Sequence, residues 1–392
     1  MDNNKTIEWN KYIISLCPIF LILYICNETF AIDYRAFYLA GKSVINDLNP
    51  YLNHIALDND FYGPVNSELS KYSGWKYPPI ASYLFVPFAR LPYEVSKNLF
   101  NLISLISASF VVYFIVRNRI FTINPTSLII VGISFPLLAT ISRGQIEIII
   151  LCISLLSLYF YRKGNLFSSS FILAFIGFIK IFPLILAIAF LNSNKKIKFF
   201  IYLLISILIL YLLNIFLCPK EWNQSFVERI LIPWNEMPNG ELEELPNNLG
   251  IIKDSMTVMS SDTRNLFHSH FFVFGFANPL LSKNLFLSGI IGSLGSFICF
   301  FKYSRYSVSL RFFTIMNWIN IINPISWIMG LMWYVPLFLF SYDKVKPSFK
   351  ILLILPLILP PFLNCSGYLA SIISIFIINF YSNKNIRYLQ QI

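Results

Sequence analysis

An aspartate at position 33 and an arginine at position 35 stand directly after the first apolar run of the chain. Charge at the margin of such a run is costly and usually has a purpose. A carboxylate there can take the proton of a hydroxyl held within hydrogen-bond reach. Further along, Arg35, Arg143, Lys180 and Arg264 are candidates to neutralise an oxyanion. A developing oxyanion needs such charge beside it, and arginine has the fork geometry for it. Gln145 and Tyr77 are candidate polar and stacking contacts beside these cations. His268 and His270 flank Ser269 and can act as base or hydrogen-bond donor, but no third ligand follows at metal spacing. The six cysteines are scattered without a Cys-x-x-Cys pair, so no metal site and no cofactor is expected.

Each candidate also has a plainer reading. Asp33 can cap a helix or pair with Arg35. Arg35 and Arg264 can be exposed loop charges, and Arg143 an interface anchor. Lys180 can be one half of a buried pair or can cap a carbonyl. Glu147 can be a second polar cavity residue or simply interfacial. Trp75, Tyr77 and Trp327 can stack on a bound ligand or belong to the aromatic belts of a membrane. Glu236, Glu241, Glu243 and Glu244 read as a solvated face.

The elements that must position these residues are membrane helices. Of 392 residues, 56% are hydrophobic and 12% charged, a balance no soluble domain shows. Apolar runs of transmembrane length recur from end to end, and backbone in lipid must pair internally. The expectation is therefore all-α: a polytopic protein, one domain over residues 1–392, with about ten spans. These are placed at about 12–29, 94–116, 126–141, 145–161, 197–217, 284–301, 310–324, 326–341, 349–364 and 366–381. The first is read as retained rather than as a signal peptide, since no small-residue cleavage site follows it.

The stretch 168–191 departs from this pattern. Arg162 and Lys163 precede it, and Lys195, Lys196 and Lys198 follow it. If basic flanks are cytoplasmic, it enters and leaves by one face. Lys180 and Pro183 interrupt its centre, which predicts a re-entrant helical hairpin. With that choice, 17 of the 30 basic residues fall in short cytoplasmic segments, and only Asp2, Glu8 and Asp343 among 19 acidic residues oppose them. Both termini are then cytoplasmic. Two long segments, 30–93 and 218–283, lie outside, and loops of that length are usually functional. The net charge of +11 follows this loop pattern and gives no reason to expect nucleic acid.

Within the first outer segment the order is Asp33-x-x-x-Phe37-Tyr38-x-Ala40-Gly41, then Asn49-Pro50-Tyr51, then Tyr77-Pro78-Pro79, then Leu91-Pro92 before a span. Asp33 and Phe37 share a face if the stretch is helical. Pro79 is placed to start a helix, and residues 80–90 are too short to span and suit the interface. Arg143-Gly144-Gln145 then opens a span. Gly177-x-x-Lys180-x-x-Pro183 follows, and Asn323-Pro324-Ile325-Ser326-Trp327 comes late. In this order and membrane setting the landmarks resemble glycosyltransferase family 87, polytopic GT-C enzymes that include mycobacterial phosphatidylinositol-mannoside mannosyltransferases. Where that family often has histidines after the late Ser-Trp, this chain has Ile328-Met329-Gly330.

The resemblance implies an inverting transfer of a hexose, commonly mannose, from a polyprenyl-phosphate donor to a glycolipid or glycan acceptor. The first-loop aspartate would be the base, on the non-cytoplasmic face, with no nucleotide. A bacterial inner membrane is the expected location. Two other classes stay open on the residues alone: a transporter or flippase of lipid-linked glycans, and a polymerase or ligase of polyprenyl-linked glycans. A transporter usually shows inverted repeats and midplane charges. No repeat is visible here, and apart from Lys180 the charges cluster outside.

Overall fold

The computed structural model describes residues 31–52, 75–117, 123–228, 290, 294–295, 308–322, 328–343, 345–359 and 369–373. Among them every regular element is helical. The helices are α1 (Ile32–Ile45), η1 (Pro79–Phe85, a 3-10 helix), α2 (Val86–Ala89), α3 (Tyr93–Arg117), α4 (Pro125–Gly132) and α5 (Phe135–Arg143). They continue with α6 (Glu147–Arg162), α7 (Leu166–Ile179), η2 (Phe182–Phe190, also 3-10), α8 (Lys196–Leu217) and α9 (Lys220–Phe226). The later part holds α10 (Val308–Ile322), η3 (Ile328–Tyr334), α11 (Val335–Ser341) and α12 (Pro347–Ile358).

Local sequence sets these bounds. Asn124 caps α4 by accepting from the Thr126 amide at 2.9 Å, with Pro125 in the first turn. Asn165 caps α7 from the Ser168 amide at 3.1 Å. Two stretches expected as continuous spans are divided. Residues 126–141 form α4 and α5, because Pro136 has no amide to donate and its ring obstructs the turn before it. Of the expected span 326–341, the described residues 328–341 are divided near Pro336 into η3 and α11. Among the described residues two helices, Tyr93–Ile115 and Lys196–Leu217, are long and apolar enough to cross a membrane. The other apolar helices are shorter. The expected span 12–29 lies outside the described residues, as do most of 284–301 and 366–381.

The core is built around α10, buried on every side, with η3 and α11 against it. This helix is enclosed although it carries Arg311, Thr314, Asn317 and Asn320 among its apolar residues. α8 does the opposite: Ile197, Leu204, Leu208, Leu212 and Phe216 point outward, Phe216 with 86% of its surface free. An apolar stripe of that length is far larger than the patches soluble monomers leave open.

α6 and α7 are antiparallel, in a register fixed by a reciprocal pair. The Ser157 hydroxyl donates to the Ser169 carbonyl and the Ser169 hydroxyl to the Ser157 carbonyl, both at 2.8 Å. That register brings the end of α7 level with Glu147. The chain then breaks and returns through η2. Gly177 makes the tight return possible: a Cβ there would come within 2.5 Å of Leu184. At the foot, the Tyr161 ring stacks on Phe190 at 4.0 Å and its hydroxyl bonds to that of Ser193. Both ends of the α7–η2 hairpin therefore lie at the C-terminal end of α6, and its apex lies at the N-terminal end.

Over that apex sits a layer made from both sides of α8. Asn214 accepts from the Ile80 amide at 3.1 Å and donates to Asn223 at 2.6 Å. The Tyr83 hydroxyl donates to the Leu217 carbonyl at 2.6 Å, and Asn49 donates to Ser225 at 2.8 Å. η1, the Asn-Pro-Tyr turn and α9 are thus held to one end of α8.

Candidate functional site

α1 places Asp33 and Phe37 one turn apart on the same face. Phe37 stacks on Phe85 at 4.7 Å and meets Tyr77 at 5.3 Å and Trp75 at 6.1 Å. The two proline turns are locked to one another. Asn49 accepts from the Tyr51 amide at 3.0 Å, and the Tyr51 hydroxyl donates to the Tyr77 carbonyl at 2.6 Å. The opposite flank of α1 anchors on α3 and the turn before it. Tyr34 bonds the Ser96 hydroxyl, and Tyr38 donates to the Leu91 carbonyl at 2.9 Å.

The turn between α5 and α6 lies directly on the start of α1. Gly144 adopts φ 65°, and a Cβ at that position would come within 2.5 Å of the Tyr34 Cβ. This brings Arg143 onto Asp33 as a fork. Its Nε donates to Oδ2, and Nη2 donates to Oδ1 at 3.0 Å. Both side chains are nearly enclosed, at 7% and 13% exposure. Burial alone would raise the Asp33 carboxyl. The Arg143 charge and hydrogen bond, the Gln145 hydrogen bond and the Lys76 charge outweigh it and hold the group below the usual carboxylate range.

A second pair stands beside the first. Lys180, at the hairpin apex, donates to Glu147 Oε1, and Trp333 Nε1 donates to Oε2 at 3.0 Å. Lys180 also lies 5.6 Å from the Tyr77 ring centre. Burial, set against the Lys180 charge and reinforced by Asp33 and Glu147, pushes the Tyr77 hydroxyl up to about 12, so it remains a donor. Lys76 completes the group. It is partly buried, and it senses both Asp33 and Arg143. Burial pushes its amine down to about 7, with the Asp33 charge opposing and the Arg143 charge adding to the fall.

Of the residues singled out from sequence, Asp33, Tyr77, Arg143, Gln145 and Lys180 converge here, together with Glu147. Arg35 does not join them. Two positions along a helix point to different faces, and Arg35 lies beside the Tyr93 hydroxyl. The pairing of Asp33 with Arg35 is thereby corrected to one with Arg143. Arg264, His268, His270, Trp327 and the acidic run at 236–244 lie outside the described residues. Two members escaped notice in the sequence. Lys76 had a signal, a charge between two aromatics ahead of a proline turn. Trp333 had none, being one more aromatic in an apolar run. Among the described residues no group of three or more His, Cys, Asp or Glu side chains could hold a metal ion.

Comparison with known proteins returns one family. The model described as glycosyltransferase family 87 matches residues 75–258. No curated protein and no solved structure matches the chain. The matched stretch contains Lys76, Tyr77, Arg143, Gln145, Glu147 and Lys180, and begins after Asp33. Over that stretch the chain is similar to glycosyltransferase family 87.

Proposed function

We propose that the protein is an inverting GT-C glycosyltransferase that moves mannose from a polyprenyl-phosphate donor to a glycolipid or glycan acceptor. Asp33 removes the acceptor hydroxyl proton. The hydroxyl oxygen attacks the anomeric carbon, the bond from that carbon to the phosphate oxygen breaks, and the electron pair leaves with polyprenyl phosphate. Arg143, Lys180, Tyr77 and Gln145 bind and orient the reactants, and Arg264, His268 and His270 are further substrate contacts. The protein is integral to a bacterial inner membrane, with about ten spans. The α7–η2 hairpin is re-entrant, the segments 30–93 and 218–283 lie outside, and both termini are cytoplasmic. The outward apolar face of α8 suits such a setting.

The observation that carries this reading is the meeting of Asp33 with Arg143, beside Glu147 and Lys180, in a chain whose 75–258 stretch matches the family 87 model. A carboxylate kept ionised beside cations suits proton removal next to a departing phosphate. The test is transfer by purified protein from polyprenyl-phosphate mannose to a glycolipid acceptor, with GDP-mannose as the comparison donor. Transfer from the lipid donor alone is expected. Movement of the lipid-linked sugar across a bilayer without transfer would point to the flippase class instead.

A further inference from the structure

The pocket holds two carboxylates and three cations. Asp33 takes both forks of Arg143, and Glu147 takes Lys180 on one oxygen and Trp333 on the other. Two of the cations are therefore already neutralised by enclosed partners. The third, Lys76, makes no hydrogen bond or ion pair among the described residues. Its position is nonetheless fixed. Trp75 and Tyr77 on either side pack on Phe37 and on one another at 5.0 Å, and the Tyr77 carbonyl is held by Tyr51. A partly buried lysine on a backbone so packed, within electrostatic reach of Asp33 and Arg143, is placed for an anion that arrives with the substrate.

We infer that Lys76 is the residue that receives the phosphate group of the lipid ligand. This rests on the Asp33 pocket being the transfer site. Arg143 and Lys180 would have to leave buried carboxylates to serve the phosphate, and an unpaired buried carboxylate is costly. Among the described residues Lys76 has no such partner to abandon. Its amine titrates near 7 in the empty pocket, so a large share is neutral at ordinary pH. A phosphate beside it favours the charged form, so binding takes up a proton. The phosphate oxygens accept from the new ammonium, and the proton comes from solvent.

The experiment measures binding of a polyprenyl monophosphate to the full-length protein in detergent, at pH 6.5 to 9, for the parent, Lys76→Arg and Lys76→Met. The parent should weaken by up to tenfold per pH unit above about 7, where the free amine has lost its proton and the amine of the complex still holds it, and should level off once the complex loses it too. Lys76→Arg should bind with little pH dependence, since guanidinium keeps its charge. Lys76→Met should lose most binding at every pH, while its thermal stability in the empty state is kept or improved. Inorganic phosphate, added as a competitor, separates the sources. Displacement assigns the pocket to the phosphate ion itself, and none assigns it to the headgroup with its tail; both keep Lys76 as the ligand. If Lys76→Met binds as the parent does while Asp33→Asn still abolishes transfer, the role of Lys76 falls and the transfer site stands. If the parent binds no polyprenyl phosphate at any pH, both fall.

Discussion

Arg143 grips both carboxylate oxygens of Asp33 across 110 residues of chain. The turn that delivers it is pressed against the helix that carries Asp33, through Gly144 and Tyr34. The carboxylate is therefore both oriented and kept ionised.

Asp33→Asn should reduce transfer by roughly 10²–10⁴-fold, the usual contribution of a general base. The acid limb of kcat/KM should fall below the ordinary carboxylate range, because the Arg143 pairing lowers the free-enzyme value. From sequence alone, an outer-loop aspartate is expected to matter little for stability. The clamp overturns that expectation: Asn leaves an enclosed guanidinium with half its partner, so thermal stability should also drop. Asp33→Glu keeps the charge while moving it by one methylene. It should retain folding and lose most transfer. Transfer within a few-fold of the parent in folded Asp33→Asn would remove Asp33 from the chemistry.

Glu147 and Lys180 make a second, separable test. Their side chains are 9% and 18% exposed, and Trp333 occupies the remaining oxygen. Glu147→Met should cost about 3–5 kcal/mol, the range for breaking a buried pair by removing one partner. Adding Lys180→Met should restore much of that stability, since well-packed apolar side chains often replace a buried pair without loss. Thermal unfolding of the two singles and the double in detergent gives the comparison. Additive losses would mean the two residues do not act as a pair.

Gly144→Ala tests the turn that joins the two halves of the clamp. The left-handed φ by itself costs on the order of 1 kcal/mol. The added methyl also meets the Tyr34 Cβ at 2.5 Å, where backbone on both sides must yield. Stability should fall by more than the conformational term alone, and transfer should fall with it as Arg143 shifts. A neutral substitution would show that α1 and the α5–α6 turn are not in contact.

Lys76 also predicts how the empty protein responds to alkali. In the folded chain the amine titrates near 7, and unfolded it titrates near 10.4. Between those values the unfolded state binds more protons, so stability rises with pH. The penalty is present in full below 7 and is relieved as pH climbs. The apparent Tm of the parent, measured relative to Lys76→Met, should therefore rise from pH 7 to 9. A constant difference would mean that the amine is solvated.

Much of this arrangement could be read in the chain. The four-residue spacing of Asp33 and Phe37 gives one helical face, and Lys180 with Pro183 gives the hairpin break. The two proline turns read as turns, though not as partners, because the Tyr51–Tyr77 bond is a matter of tertiary approach. Nearness in sequence misled for Arg35: two steps along a helix point a side chain away, while Arg143 comes from far off. The interruption of α4 and α5 was signalled by Pro136, but apolar length carried more weight in placing that span. Trp333 had no signal, because nothing in a run of apolar residues distinguishes the indole whose nitrogen meets a carboxylate.

The winding of η2 sets the height at which Lys180 works. α7 has 14 residues and, at about 1.5 Å each, climbs about 21 Å. η2 has nine, and as a 3-10 helix rising about 2.0 Å per residue it descends about 18 Å, nearly the same distance. Wound as an α-helix, the same nine residues would cover only about 13.5 Å. The tighter coil is thus a spacer: it lets the shorter leg match the longer one. Rewinding it would draw the apex down by several ångströms and take the lysine out of reach of Glu147.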